Sequence, residues 1–328
     1  MPNASAPTAT KLRRAAGYYG GQMTGQLTNT YLGMKHRLQW AVTRNPASER
    51  QFRANPPALT EAQRRIADEL SRTGIAVTSA EALGLPEEAR RALAAMLDEF
   101  VASEHVRAAL SVDAESFSRR APKGDDYMLK RFPEGPVIPA SSPLLRVGLS
   151  PMMLGVVNTY LHLWAELTYT DLWHTIPVDI GRRIGSQRWH RDPEDRRMVK
   201  VYYYHAPVTE ESGPLEYVRE SHSSGRFGKL WSWHPTVLHT ERYPKEQELE
   251  RAVPREQRVL ATGPAETIVF CDTSGLHRGG ISHGAPRILA TWTFVTPASI
   301  GVSARHRFTV HDDGALSSYS AAARAALH

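Results

Sequence analysis

A chain of 328 residues with 41% hydrophobic and 23% charged residues has enough apolar mass for a large core and reads as globular, not disordered. Its formal charge of +6 and pI near 9.5 come without any block of about five or more like charges, so the basic excess belongs to a mixed solvated surface and not to a nucleic-acid stripe. No run of about 18 apolar residues exists to span a membrane, and the one cysteine, Cys271, excludes an intrachain disulfide and suits a reducing, cytoplasmic setting.

Taken in order, Met1 to Thr10 are small and polar and read as a loose tail. Lys11, Arg13 and Arg14 are followed by Tyr18-Tyr-Gly-Gly-Gln22 instead of an apolar core, so this is not a secretory signal. Lys11 to Val42 is an interrupted helical arm, broken at Gly20, Gly21 and Gly25, whose Tyr18, Met23, Leu27, Tyr31 and Leu38 would cover the core or a partner subunit. Residues 1–58 therefore precede the main domain, expected over 59–297. Asn55-Pro-Pro57 breaks the chain, and Thr60 with Gln63 forms a capping box ahead of a helix carrying Ala62, Ile66 and Leu70, with Gly74 as its stop. A strand over Ile75 to Thr78 follows. Pro86 then opens a helix with the apolar stripe Ala89, Leu93, Met96, Leu97 and Phe100.

Tyr127 to Phe132 reads as a short strand, and Ser150-Pro151 starts a helix to about Tyr160. From Glu166 onward the period changes to two, with beta-branched and aromatic runs punctuated by Gly and Pro, which predicts an antiparallel sheet. The clearest runs are Met198 to His205, Thr267 to Cys271 and Pro286 to Thr296. Residues 223–263 interrupt the pattern with Trp231, Trp233, His234 and His239 and a helix-like Pro244 to Val253; an insertion of this length is expected to be a lid. Residues 298–328 read as a C-terminal tail.

His190 and Asp192 sit in the stretch Trp189-His-Arg-Asp192. With a period of two, both side chains point to one side, so one ion can accept both. The chain holds a second His-x-Asp pair, His311 and Asp313, but it falls after the last strand-like run. Only the first is followed by a beta-rich run, then His277, then Arg287 at the start of another apolar strand. Two imidazoles and one carboxylate on one face of a ferrous ion leave three positions open, the ligand set of non-haem iron oxygenases. Arg287 offers a guanidinium fork that suits a carboxylate.

In these pieces, together with Ser212-Gly-Pro-Leu-Glu-Tyr-Val-Arg-Glu-Ser-His222 and His277-Arg-Gly-Gly-Ile-Ser-His-Gly-Ala-Pro-Arg287, the chain resembles the phytanoyl-CoA dioxygenase-like branch of the Fe(II)/2-oxoglutarate-dependent oxygenases, over roughly Leu59 to Pro297. The resemblance implies a mainly β fold with helical decoration: a double-stranded β-helix of the jelly-roll, cupin-like kind with N-terminal helices packed on it. It implies that His190, Asp192 and His277 hold Fe(II), that Arg287 binds the distal carboxylate of 2-oxoglutarate, that Tyr202 lies beside this co-substrate and that Gln187 makes a polar contact there. Molecular oxygen is the other co-substrate. Retention of Asp192 favours oxygen chemistry over halogenation, and hydroxylation, desaturation, ring closure and epimerisation all stay open. The insertion after His222 departs from the family, and nothing resembles a coenzyme A site, so a small-molecule substrate is expected without that handle, and the arginine-rich composition points to an anionic one or a secondary metabolite.

Blander readings stand beside these. Tyr202, Tyr203 and Tyr204 can be ordinary strand alternation, Arg278 and His283 exposed loop residues, and Cys271 a buried inert thiol. A cupin-like metal barrel without oxygen chemistry and a zinc hydrolase would use the same three ligands. An AlkB-like nucleic-acid oxygenase fits the charge but lacks a basic stripe. Oligomeric state is left open.

Overall fold

Alternating side chains from residue 166 onward give a run of strands, and the ladder they form fixes everything near the candidate ligands. The computed structural model describes residues 31, 34–35, 38–120, 122–132, 135–177, 180–231, 244–299 and 307–327. The expected N-terminal tail, most of the arm, and Trp233, His234 and His239 of the insertion lie outside these residues. In chain order the strands are β1 (Ile75–Ser79), β2 (Met128–Lys130), β3 (Val137–Pro139), β4 (Glu166–Thr175), β5 (Val199–Tyr204), β6 (Leu215–Val218), β7 (Arg258–Ala261), β8 (Thr267–Cys271), β9 (His277–Gly279), β10 (Ile288–Val295) and β11 (Thr309–His311).

Six strands form a large sheet in the order β1-β8-β5-β10-β4-β2, and three form a small one in the order β7-β6-β9. Every pairing in both is antiparallel. An isolated bridge between His190 and His277 adds one rung to the small sheet beyond β9. The chain thus passes from β4 in the large sheet to His190 in the small one, returns to β5, crosses to β6 and β7, returns to β8, crosses to β9 and ends on β10. This alternation between two facing sheets is a double-stranded β-helix, the jelly-roll expected from the sequence.

Period-two alternation sorts the side chains. Val199, Val201 and Tyr203 of β5 and Ile288, Ala290, Trp292 and Phe294 of β10 join the core under the helices. Tyr202, Tyr204 and Leu289 turn the other way, into the barrel. The helical layer follows the sequence closely. The helix α1 (Glu61–Thr73) starts at the Thr60/Gln63 capping box and stops at Gly74 in the left-handed region (φ 82°). A Cβ at Gly74 would also lie 2.2 Å from the Tyr217 hydroxyl, so glycine is needed twice there. Leu93, Leu97 and Phe100 of α2 (Glu87–Val101) are buried, each contributing about 1.5–3 kcal/mol. Between α3 (Pro143–Gly148) and β10, Gly148 leaves room for the Trp292 ring, where an added Cβ would approach to 2.3 Å.

Two segments flank the sheets. Tyr31 and Leu38 are exposed and do not cover the core, whereas Asn45 and Ser48 dock the following helix by hydrogen bonds to Ala298 N–H and the Trp164 carbonyl. The segment read as a C-terminal tail packs on the barrel over residues 307–327. There β11 pairs in parallel with β3, Tyr319 donates to the Ala140 carbonyl, and Ala323 and Ala326 are buried. His311 and Asp313 belong to this docking, with Asp313 accepting from Ser141. Small alanine-rich contacts carry little periodicity, which is why the sequence hid them. No helix among the described residues is long and apolar enough to cross a membrane.

Candidate metal centre

The rung that joins His190 to His277 has both backbone hydrogen bonds, each 3.0 Å. This sets the two imidazoles side by side, ring centroids 4.2 Å apart. Asp192, two residues on, is fixed by its N–H to the Thr273 carbonyl at 2.8 Å. Each ring directs Nδ1 to a carbonyl of its own chain, His190 to Arg188 at 2.7 Å and His277 to Gly275 at 3.0 Å. With Nδ1 holding the proton, Nε2 keeps its lone pair, the arrangement typical of metal-ligating histidines. The two Nε2 atoms face opposite oxygens of Asp192, both at 3.6 Å. Donors bonded to one ion at about 2.1 Å lie roughly 3.0–3.4 Å apart, so a small contraction closes the set. Among the described residues this is the one group of three His, Cys, Asp or Glu side chains with metal-ligating spacing.

Charge at this face is balanced internally. Lys200, pointing inward from β5, places Nζ 2.5 Å from Asp192 Oδ2 and 3.7 Å from Glu194 Oε1. Burial works against the Asp192 carboxylate, but Lys200 and then the two imidazoles overcome it and hold its pKa well below the ordinary range. Burial also opposes the Lys200 charge, and Asp192 and Glu194 overcome it, so its pKa rises. His277 is pulled down to about 3, by burial first and by His190 second. It is therefore neutral and ready to ligate across the ordinary pH range.

The ligand face opens on a cavity of about 480 Å³ between the sheets, walled in part by Tyr202, Tyr204, Trp173, Lys130 and Arg287. Arg287 is 5% exposed, and its backbone is locked to Thr175 on β4. Its Nε, closed off from water, has no acceptor. Among the described residues no carboxylate lies within ion-pair distance of its guanidinium. Tyr202 lines the same cavity. Gln187 is not among the residues that wall it: its Oε1 accepts from Ile184 N–H at 3.1 Å, closing a tight turn.

The opposite side of the two ligand-bearing segments is tied down. Arg278, expected in a loop, is buried on β9, stacked 4.4 Å from the Trp189 ring and paired with Glu216 and Glu246. Glu246 opens the helix α4 (Glu246–Ala252) of the insertion and also accepts from Trp189 Nε1 and Arg258. One carboxylate thereby fastens the insertion to the neighbours of both His190 and His277. Arg191 donates to the carbonyls of Ser221, Phe227, Leu230 and Ser274, anchoring the 221–230 loop. Sequence reasoning missed Lys200, Lys130, Asp171 and Glu246. The first two had a legible signal, a lysine at an inward position of a strand; Glu246 had none.

No family model matches this chain, and no curated protein does. Solved structures that superpose on it include the non-heme alpha ketoglutarate dependent epimerase SnoN from nogalamycin biosynthesis, at 14% identity over 72% of this chain and 83% of that one, with a TM-score of 0.47. EctD from S. alaskensis with bound Fe matches at 15% identity over 79% of this chain and 92% of that one, TM-score 0.47. The carbocyclase SnoK from nogalamycin biosynthesis matches at 14% identity over 81% and 94%, TM-score 0.46.

Proposed function

We propose that this chain is an Fe(II)- and 2-oxoglutarate-dependent oxygenase that oxidises an unactivated C–H bond of a small molecule, working in a reducing, cytoplasmic setting. The observation that carries it is the pairing of two features in one cavity: a His-Asp-His face with both Nε2 lone pairs turned inward, and a buried guanidinium without an anionic partner among the described residues. A structural metal site needs the first feature and has no use for the second. A dicarboxylate co-substrate needs both, one end at the metal and the other on the Arg287 fork.

His190, Asp192 and His277 would hold iron, and with 2-oxoglutarate and dioxygen bound the metal would supply the oxidising power while succinate and carbon dioxide leave. The chain's own residues set the conditions. The carbonyls of Arg188 and Gly275 keep each imidazole in the ligating tautomer. Lys200 fixes the orientation of Asp192 and offsets its charge. Tyr202, Tyr204 and Leu289 keep the space beside Arg287 apolar, which strengthens a carboxylate pair there. Hydroxylation, desaturation, ring closure and epimerisation all begin with the same C–H, and the residues around it do not choose among them.

Anaerobic addition of Fe(II) and 2-oxoglutarate should give the weak visible charge-transfer band of the chelate, and His190→Ala should abolish it. Succinate should form only when iron, 2-oxoglutarate and oxygen are all present. A folded, iron-loaded protein without the band would overturn the proposal.

A further inference from the structure

Among the described residues, four lysine or arginine side chains wall the cavity: Lys130, Arg191, Lys200 and Arg287. Arg191 is engaged by four carbonyls, Lys200 by Asp192 and Glu194, and Arg287 by the distal carboxylate in the reading above. Lys130 is left. Its Nζ lies 5.9 Å from the centroid of the Trp173 ring; the carboxylate it acts on is Asp171, beyond ion-pair distance and already bonded by Tyr169, Phe132 and Leu172. Strand register separates it from the Arg287 row. Met128 pairs with Thr175, whose N–H donates to the Arg287 carbonyl; Lys130 pairs with Trp173 and through it faces Leu289. One inward step of the strand, about 6.6 Å, lies between the rows.

The surface beside Lys130 is rigid. Trp173 Nε1 donates to the Tyr169 hydroxyl at 2.9 Å, and that hydroxyl donates to Asp171 at 2.8 Å. Asp171 accepts in addition from the Phe132 and Leu172 N–H groups. Trp173 also approaches Tyr202, ring centroids 6.1 Å apart. Tyr202 shares its strand face with Lys200, which holds Asp192. An aromatic wall thus runs from the Lys130 ammonium to the metal face. The acidic groups of the cavity are engaged already: Asp125 receives the Ser186 N–H and hydroxyl, and Glu194 accompanies Lys200.

We infer that the substrate is an organic anion, its carboxylate or phosphate received by Lys130, its apolar body laid along Trp173 and Tyr202, and its reacting carbon thereby brought toward His190, Asp192 and His277. A half-buried ammonium with no ion pair among the described residues, at the edge of a low-dielectric cavity, attracts an anion more strongly than a surface lysine does. The inference rests on the oxygenase reading, which assigns Arg287 to the co-substrate.

The test uses protein loaded with Zn(II) and saturating 2-oxoglutarate, and four probes of one shape: phenylacetate, phenyl phosphate, phenylacetamide and 2-phenylethylamine. Ligand-observed NMR should rank at least one anion about tenfold tighter than the amide, with the amine weakest; which anion leads separates a carboxylate site from a phosphate site. Lys130→Met should bring the anions down to the amide, and Lys130→Arg should restore the order. The 2-oxoglutarate affinity of Lys130→Met, read from the iron charge-transfer band, should match the parent. No preference for anions in the parent, or an undiminished preference in Lys130→Met, would overturn the inference. So would a loss of 2-oxoglutarate affinity in that variant, which would assign Lys130 to the co-substrate. Absence of the band from the parent protein is a separate result, and it would overturn the oxygenase reading itself.

Discussion

Lys200 and Arg287 lie in the same wall, on β5 and at the start of β10, and both carry a full charge into the same cavity away from water. Their surroundings differ. Lys200 faces Asp192 and Glu194 and is neutralised within the protein; Arg287 has no anion at all among the described residues. The first cation belongs to the fold and the second is kept for a ligand. What separates them is the local supply of carboxylates, since both are long basic side chains at inward positions of the large sheet.

The contrast is sharpest in stability. Lys200→Met leaves Asp192 buried with its main counter-charge gone, and breaking such a pair costs about 3–5 kcal/mol. Urea unfolding at neutral pH without metal should show a loss of that size, partly recovered by added divalent metal. A metal-free Lys200→Met protein as stable as the parent would erase the distinction.

The wall between the two cations supplies a smaller effect. Asp171 lies across β4 and β10 from Thr291, and burial raises its carboxyl from 3.8 to about 6. The folded protein therefore holds a proton that the unfolded chain has already released between those pH values. Stability from this group is highest below the unfolded pKa, falls as pH rises through the window, and is lower by up to about 3 kcal/mol above it. Asp171→Asn keeps an acceptor for the Phe132 and Leu172 N–H groups and should flatten that part of the stability profile; an unchanged slope would remove Asp171 as its source.

The smallest change in stability belongs to Arg287. Removing a buried cation that has no ion pair among the described residues takes away a desolvation cost, so Arg287→Met should unfold within about 0.5 kcal/mol of the parent or later. The same variant should fail to develop the 2-oxoglutarate band, and Arg287→Lys should recover little of it, because an ammonium lacks the planar fork. Strong destabilisation by Arg287→Met would mean that an internal partner holds it.

Much of this was legible because it follows from periodicity and caps. The Thr60/Gln63 box, the Gly74 stop, the Leu93 stripe and the β8 strand each depend on residues close in sequence. His190 and Asp192 were legible as a two-residue spacing, and His277 and Arg287 through a resemblance. The turn that Gln187 closes with Ile184 was not legible, because nearness to a ligand in sequence says nothing about which way a turn directs an amide. Asp171 and Glu246 act through partners brought close only by strand register or by the return of the insertion, and no local pattern encodes those meetings.

Glu246 carries a consequence for how this molecule opens. Because one carboxylate bonds Trp189, Arg258 and Arg278 at once, the helix it begins cannot detach without loosening the neighbours of both histidines. The insertion and the ligand-bearing strands then form one cooperative unit, rising and falling together in amide exchange. A ligand that steadies the histidines slows exchange in α4 as well, so occupancy of the barrel interior is reported on the protein's outer surface.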